Sequence, residues 1–346
     1  MPSFISPVKR NVYFRITAAA LLILCAVFCS KRDKIEDLIS HELVDSHIQF
    51  LSSDELKGRG SFSEDVRLTE DYIAKQFEEA GLDTLAEFPG YRHEFTYTYR
   101  NRRDPEAEPQ EFVLANVVGF LEGRDSQLKN EFVVFGAHHD HLGIRGNAED
   151  NIYNGANDNA SGTTAVIALA RYYAKTRNNR RSLLFVTFAA EERGMVGSRQ
   201  LVEDLPFPID KIVALINFEM IGKSREGDEL LCYLTGWDRS DLGTIMQESL
   251  GENATWLREG PEITDRLFFA SDNISFARQG VVAHTLAGNN STHDPMTHTP
   301  DDEYETLNVE DMTQIIRGVV KAAETIIAGE RTPVMLEPVS TRNKRP

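Results

Sequence analysis

Cysteine is scarce in this sequence, with only Cys25, Cys29 and Cys232 in 346 residues. A chain this poor in cysteine has no disulfide framework, so packing must hold it together. Basic clusters are missing as well. Lysine and arginine number 37 against 54 acidic residues, for a net charge of −17, and no run of them marks the body of the chain. Binding a phosphate backbone needs concentrated positive charge, so nucleic acid is excluded as a partner. Internal repeats and long low-complexity linkers are lacking too, and nothing in these features speaks to oligomeric state.

No apolar run is long enough to cross a bilayer comfortably. The run at residues 16–28 follows Lys9, Arg10 and Arg15 and is closed by Lys31 and Arg32. A basic segment before a short apolar core reads as an export signal over residues 1–29, which places the protein in the cell envelope; a short anchor helix is the alternative. Cys29 stands where a bacterial lipoprotein signal carries its lipidated cysteine, although Phe28 replaces the small residue usual before it. Membrane attachment through a lipidated Cys29 follows as an expectation. Residues 33–330 then form one domain, with 331–346 as a C-terminal tail.

What the sequence does have is an ordinary globular composition, 41% hydrophobic and 26% charged. Helical apolar spacing predicts helices at 33–57 and 63–80, the second capped by Ser63 and stopped by Gly81. Residues 100–110 read as an exposed connection. Beyond it, apolar runs at 132–137, 182–190, 211–218, 230–236 and 281–288 predict strands. Helical patterns follow at 160–175, 238–250, 271–279 and 308–328. Continuously apolar strands are buried on both faces, so the expected fold is α/β, a three-layer α/β/α sandwich around a mostly parallel mixed sheet.

Ligands collect beyond the carboxyl ends of strands in such sheets, and this chain puts its chemistry there. His138, His139 and Asp140 follow the strand FVVFGA. Asp158 lies in GANDNASG at a helix entry, Glu191 and Glu192 follow SLLFVTFAA, Glu219 follows INF, and His298 lies in HTPDDE. Alone, Asp158 reads as a helix cap and the glutamate pair as a solvated strand end. Together, imidazoles and carboxylates converging from separate strands are a ligand set that suits zinc. In extended backbone, positions 138 and 140 share a face, so the Asp140 carboxylate can accept a hydrogen bond from His138 and fix its tautomer.

The segments GAHHDHLG, GANDNASGT, FAAEERGMVGS, INFEMIG and HTPDDEYE resemble the zinc aminopeptidases of the M28 type, and the resemblance covers roughly residues 40–328. It implies two zinc ions per chain. His138 would bind the first, oriented by Asp140; Asp158 would bridge; Glu192 and His298 would bind the second; and Glu191 would be the general base. Glu219 stands where the family usually has aspartate, and its extra methylene moves the carboxylate outward by about 1.5 Å. His139 and His141 match no position of the pattern and read as loop residues. The implied activity is removal of N-terminal residues from peptide substrates by a metal-bound water. Tyr153, Phe268, Phe269 and Phe276 are candidates for a side-chain pocket. A glutaminyl cyclase-like enzyme and a catalytically silent binding relative are the competing readings. Thr297, where those cyclases tend to have tryptophan, and the occupied ligand positions lean against them.

Overall fold

The apolar runs form the centre of an eight-stranded sheet. The computed structural model describes residues 35–101, 104, 106–227, 229–260, 266–288 and 294–339. The expected signal, with Cys29, lies outside the described residues. Among them no helix is long and apolar enough to cross a membrane.

After a helical turn at 35–38 come α1 (His41–Leu51) and α2 (Val66–Ala80), followed by β1 (Arg92–Tyr99), β2 (Gln110–Leu121) and β3 (Phe132–His138). A small ribbon, β4 (Gly143–Ile144) with β5 (Ile152–Tyr153), leads into α3 (Ser161–Thr176), β6 (Ser182–Phe188) and α4 (Val196–Asp204). Next come β7 (Ile212–Glu219), the ribbon β8 (Arg225–Glu226) with β9 (Glu229–Leu230), and β10 (Cys232–Leu234). The chain closes with α5 (Leu242–Leu250), β11 (Leu257–Glu259), α6 (Asn273–Ala277), β12 (Ala283–Gly288), α7 (Val309–Ala322) and α8 (Glu324–Ile327).

The sheet order is β1-β2-β6-β3-β7-β12-β10-β11. Strands β6, β3, β7 and β12 are mutually parallel, whereas β1, β2 and β10 run antiparallel to their neighbours toward the centre. Every residue of β3 and β6 is buried. Alternate side chains enter opposite cores. Val133 and Phe135 pack with α1, α2, α3 and α7, and Val134, Leu184 and Val186 pack with Leu201 of α4 and Ile274 of α6. Helices on both faces make the expected three-layer sandwich.

The differences are local and have causes. The helix expected over 33–57 is broken: α1 ends at Leu51, and a 3-10 turn follows in which Lys57 and Gly58 take left-handed φ of 47° and 67°. A Cβ on Gly58 would meet the Tyr153 carbonyl at 2.4 Å, so only glycine fits this crossing. Helix α2 starts later than expected, because Ser63 bonds the Asp65 amide in a local turn and caps no helix. Gly81 does end it, at φ 85°. Strand β1 was not expected, since its alternating polar pattern marks a half-exposed edge.

Candidate metal centre

Because the central strands are parallel, their carboxyl ends share one edge. His138 ends β3, Glu219 ends β7, and Glu191 and Glu192 open the turn after β6. Asp158 sits at the entry to α3, where φ −108° and ψ 94° leave helical geometry, and a cis bond joins it to Asn159. Ala190 and His298 hold left-handed φ of 52° and 60°. Such conformations are uncommon for residues with a Cβ and cluster at functional sites.

The five expected ligand residues meet. His138 Nε2 lies 2.9 Å from Glu219 Oε1 and 3.3 Å from Asp158 Oδ1. His298 Nε2 lies 3.1 Å from Asp158 Oδ2 and 3.3 Å from Glu192 Oε1. The two oxygens of Asp158 therefore face two separate donor groups. Glu219 reaches its group despite the longer side chain, and Ser271 Oγ donates to its Oε2 at 2.7 Å. Glu191 lines the same cavity, about 170 Å³, together with Asp158, Glu192, Glu219 and His298.

The donor chemistry fits a cation. His141 Nδ1 lies 2.8 Å from Glu192 Oε1, yet both atoms are buried with no aligned hydrogen-bond partner. Buried polar atoms normally pair. Imidazole and carboxylate atoms that crowd one point without pairing are arranged as ligands around an ion. Two such groups, His138–Asp158–Glu219 and His141–Asp158–Glu192, each keep their donor atoms within 4.8 Å.

The field at this edge is divided. Burial pushes the Glu191 carboxyl well above its usual range, and the neighbouring Glu219, Asp272 and Glu192 charges add to that against His138. Burial also opposes charge on Asp158, but hydrogen bonds from His138 and His298 outweigh it and hold the carboxyl well below the ordinary value. Glu192 follows the same pattern, with burial overcome by His141 and His298, and titrates at about 2. His298 is raised to about 10 by Asp158 and Glu192. Burial works against charge on His138, yet Glu219, Asp140 and Asp158 push it well above its usual value. One glutamate is thus driven toward a proton-accepting range while its neighbour stays an anion.

Several expectations need correction. Asp140 steadies His138 through its backbone carbonyl, 3.0 Å from Nδ1, while its carboxylate is 3.7 Å away. That carboxylate instead takes the Ser61 hydroxyl at 2.5 Å and the Glu191 amide at 3.0 Å, tying the β3 loop to the β6 turn. His139 and His141 do lie in the loop after β3, but both are fully buried. His139 pairs with Thr187 at 3.1 Å, and burial lowers it to about 4, so it is neutral. His141 belongs to the donor cluster. Phe268 and Phe276 are core, Phe269 is 42% exposed, and none of the four aromatics lines the cavity. Its apolar wall comes from Met220, Leu267, Ala270 and Ala287. A larger groove of about 750 Å³ beside Trp256 and Arg317 shares no residue with it.

Two supporting residues escaped the sequence reading. Arg59 is buried and donates to the carbonyls of Leu51, His139, Asn154 and Gly155. Asp302, also buried, accepts from the Asn157 and Asp158 amides at 3.1 and 3.0 Å, which aims the Asp158 turn. An arginine flanked by two glycines and a paired aspartate after Pro300 were the only visible hints.

An α/β sandwich with a divided imidazole–carboxylate cluster at its sheet edge defines a class of metal-site proteins. Within it, the sequence model of peptidase family M28 matches residues 116–323, and the chain belongs to that family. Aminopeptidase YwaD of Bacillus subtilis is 27% identical over 190 residues, which is 52% of this chain and 39% of that one. The chain thus spans about two fifths of this curated relative. Among solved structures, the aminopeptidase from Aneurinibacillus sp. strain AM-1 superposes with a TM-score of 0.63 at 17% identity, over 90% of this chain and 98% of that one. Porphyromonas gingivalis glutaminyl cyclase superposes with 0.64 at 13% identity, over 83% and 99%. The fold is shared by both, so the site must separate the two chemistries.

Proposed function

We propose that the chain is a zinc-dependent aminopeptidase that binds two zinc ions at this edge and releases N-terminal residues from peptides. The observation that carries this is the Asp158 carboxylate, with one oxygen facing His138 and Glu219 and the other facing His298 and Glu192. Zinc bound there supplies Lewis acidity, acidifying water and polarising a carbonyl oxygen. The chain supplies the rest. Glu191, raised by burial, takes the proton from the attacking water and returns it to the leaving amine. Asp140 holds that turn through the Glu191 amide. Glu191 and Glu219 line the cavity and offer carboxylate oxygens to a free α-ammonium, which favours chain ends over internal bonds. The small apolar wall suits an aliphatic N-terminal side chain.

The segment before residue 30 supports export to the cell envelope, with Cys29 as the candidate lipid-bearing residue. The deciding experiment combines zinc content with hydrolysis of a leucine chromogenic amide, with and without chelator, and of free and N-acetylated peptides. Zinc-dependent turnover restricted to free amino ends is expected. Glu191→Gln should keep its zinc and lose activity by orders of magnitude. Equal cleavage of acetylated peptides would sink the exopeptidase reading, and ammonia release from an N-terminal glutaminyl peptide would move the assignment to a cyclase.

A further inference from the structure

We infer that His141 is a fourth protein donor to the cation held by Asp158, Glu192 and His298, so that the two metal positions are unequal. The inference rests on the zinc reading above and deepens it. Its ground is geometric. His141 Nδ1 lies 2.8 Å from Glu192 Oε1 and 3.9 Å from Asp158 Oδ2. His298 Nε2 approaches the same two oxygens at 3.3 and 3.1 Å. Tetrahedral ligation at zinc–nitrogen and zinc–oxygen bond lengths puts donors about 3.3 Å apart, and these four distances bracket that value. The imidazoles of His141 and His298 stand 5.6 Å apart between centroids on this shared pair of carboxylates.

Among the described residues the ring makes no aligned hydrogen bond, and its Nδ1 pairs with the same two carboxylates, Glu192 and Asp158. It is fully buried, and neither nitrogen has a hydrogen-bond partner. It is also held in place. The His141 amide donates to the Arg59 carbonyl at 2.9 Å. The ring packs on Gly155, where a Cβ would come within 2.5 Å of it. A buried imidazole with both nitrogens unsatisfied is costly unless one of them meets a cation.

The count then differs between positions. One has His141, Asp158, Glu192 and His298; the other has His138, Asp158 and Glu219. Four protein donors make a closed zinc site, whereas three leave a coordination place for water or substrate. The His141 position therefore fills first and holds its ion more tightly, and the His138 position is the one open to substrate.

Zinc titration against a chromophoric chelator tests this without turnover. The unsubstituted protein should load one tight and one weaker equivalent. His141→Ala should weaken the tight equivalent on the order of 100-fold or more, at or beyond the roughly 10–100-fold cost of losing an outer-shell partner, and leave the other unchanged. Two unchanged equivalents, or equal weakening of both, would overturn the assignment. Cobalt-loaded His141→Cys separates ligation from mere support. Nδ1 is the ring nitrogen nearest the backbone, and zinc–sulfur bonds of about 2.3 Å exceed zinc–nitrogen bonds of 2.0–2.1 Å, so a thiolate reaches nearly the same point. A thiolate-to-cobalt charge-transfer band, absent from the unsubstituted protein, is expected. A folded, cobalt-loaded variant without that band refutes the inference; if the variant does not fold, the alanine titration decides. Protein that shows the band but cleaves no peptide would keep His141 as a ligand while rejecting the hydrolytic reading.

Discussion

Removal of the Arg59 donors is the sharpest test of how the edge is held. The guanidinium gives hydrogen bonds to His139 O at 3.0 Å, Leu51 O at 2.5 Å, Asn154 O at 2.6 Å and Gly155 O at 2.9 Å. These four carbonyls belong to the end of α1, the loop after β3 and the loop that enters α3. Arg59→Met keeps the stem and leaves all four without that partner, although Gly155 O still accepts from the Ala160 amide at 3.2 Å. At about 1–3 kcal/mol for each unsatisfied buried group, with water refilling part of the space, the loss should be about 3–5 kcal/mol. Burial lowers Arg59 to about 10, while Asp158, Asp302, Asp140 and Glu192 pull the other way. Its charge therefore matters more when no metal balances those carboxylates, and the loss should be larger in chelator than in zinc. Arg59→Lys offers three donors for four carbonyls and should fall between. Urea unfolding followed by circular dichroism, with and without chelator, gives the numbers. A cost below about 1 kcal/mol for Arg59→Met would falsify the reasoning.

Gly155→Ala places a Cβ 2.2 Å from the Asp158 carbonyl and 2.5 Å from the His141 ring at φ +55°, so zinc affinity should fall steeply; unaltered zinc titration would show that the loop yields freely. Ser271→Ala removes the donor to Glu219 Oε2 and should weaken only the His138 position, by about 10–100-fold, read by the same titration. Zinc uptake near neutral pH should release protons, with His138 and His298 among their sources, because neighbouring carboxylates raise both. Calorimetry in buffers of different ionisation enthalpy measures the release, and a value near zero contradicts it. Burial raises Asp272 to about 7, with Glu219 and Asp140 adding and His138 opposing. Its unfolded value is near 3.9, so the native state holds the extra proton: stability lost to this group grows between pH ~4 and 7 and is constant above, up to about 4 kcal/mol. In chelator, Asp272→Asn should raise the melting temperature at pH 8 and leave it unchanged at pH 4.

How the fold was legible depended on burial. Runs such as those of β3 and β6 are apolar at every position because both faces are covered, and that pattern survives without knowledge of partners. Strand β1 escaped because its exposed face carries polar residues. The pocket was misread for a related reason. Phe268 and Phe276 satisfy the same apolar pattern by packing in the core, and spacing cannot say which way an aromatic points.

Residue type and strand-end position by themselves determined where His138, Glu191, Glu192 and Glu219 would gather, because parallel strands bring their carboxyl ends to one edge whatever the helices do, whereas Asp158 at a helix entry and His298 in a loop were joined to them by the family resemblance. Only the tertiary structure decided the finer assignments. Asp140 steadies His138 by its carbonyl, and His141 turns inward to Glu192. Arg59 crosses 80 positions to reach His139, and Asp302 crosses 145 to reach Asn157. Each rests on a contact between segments far apart in the chain, and a hydrogen bond is set by angle and distance in space, which no local pattern of residues encodes.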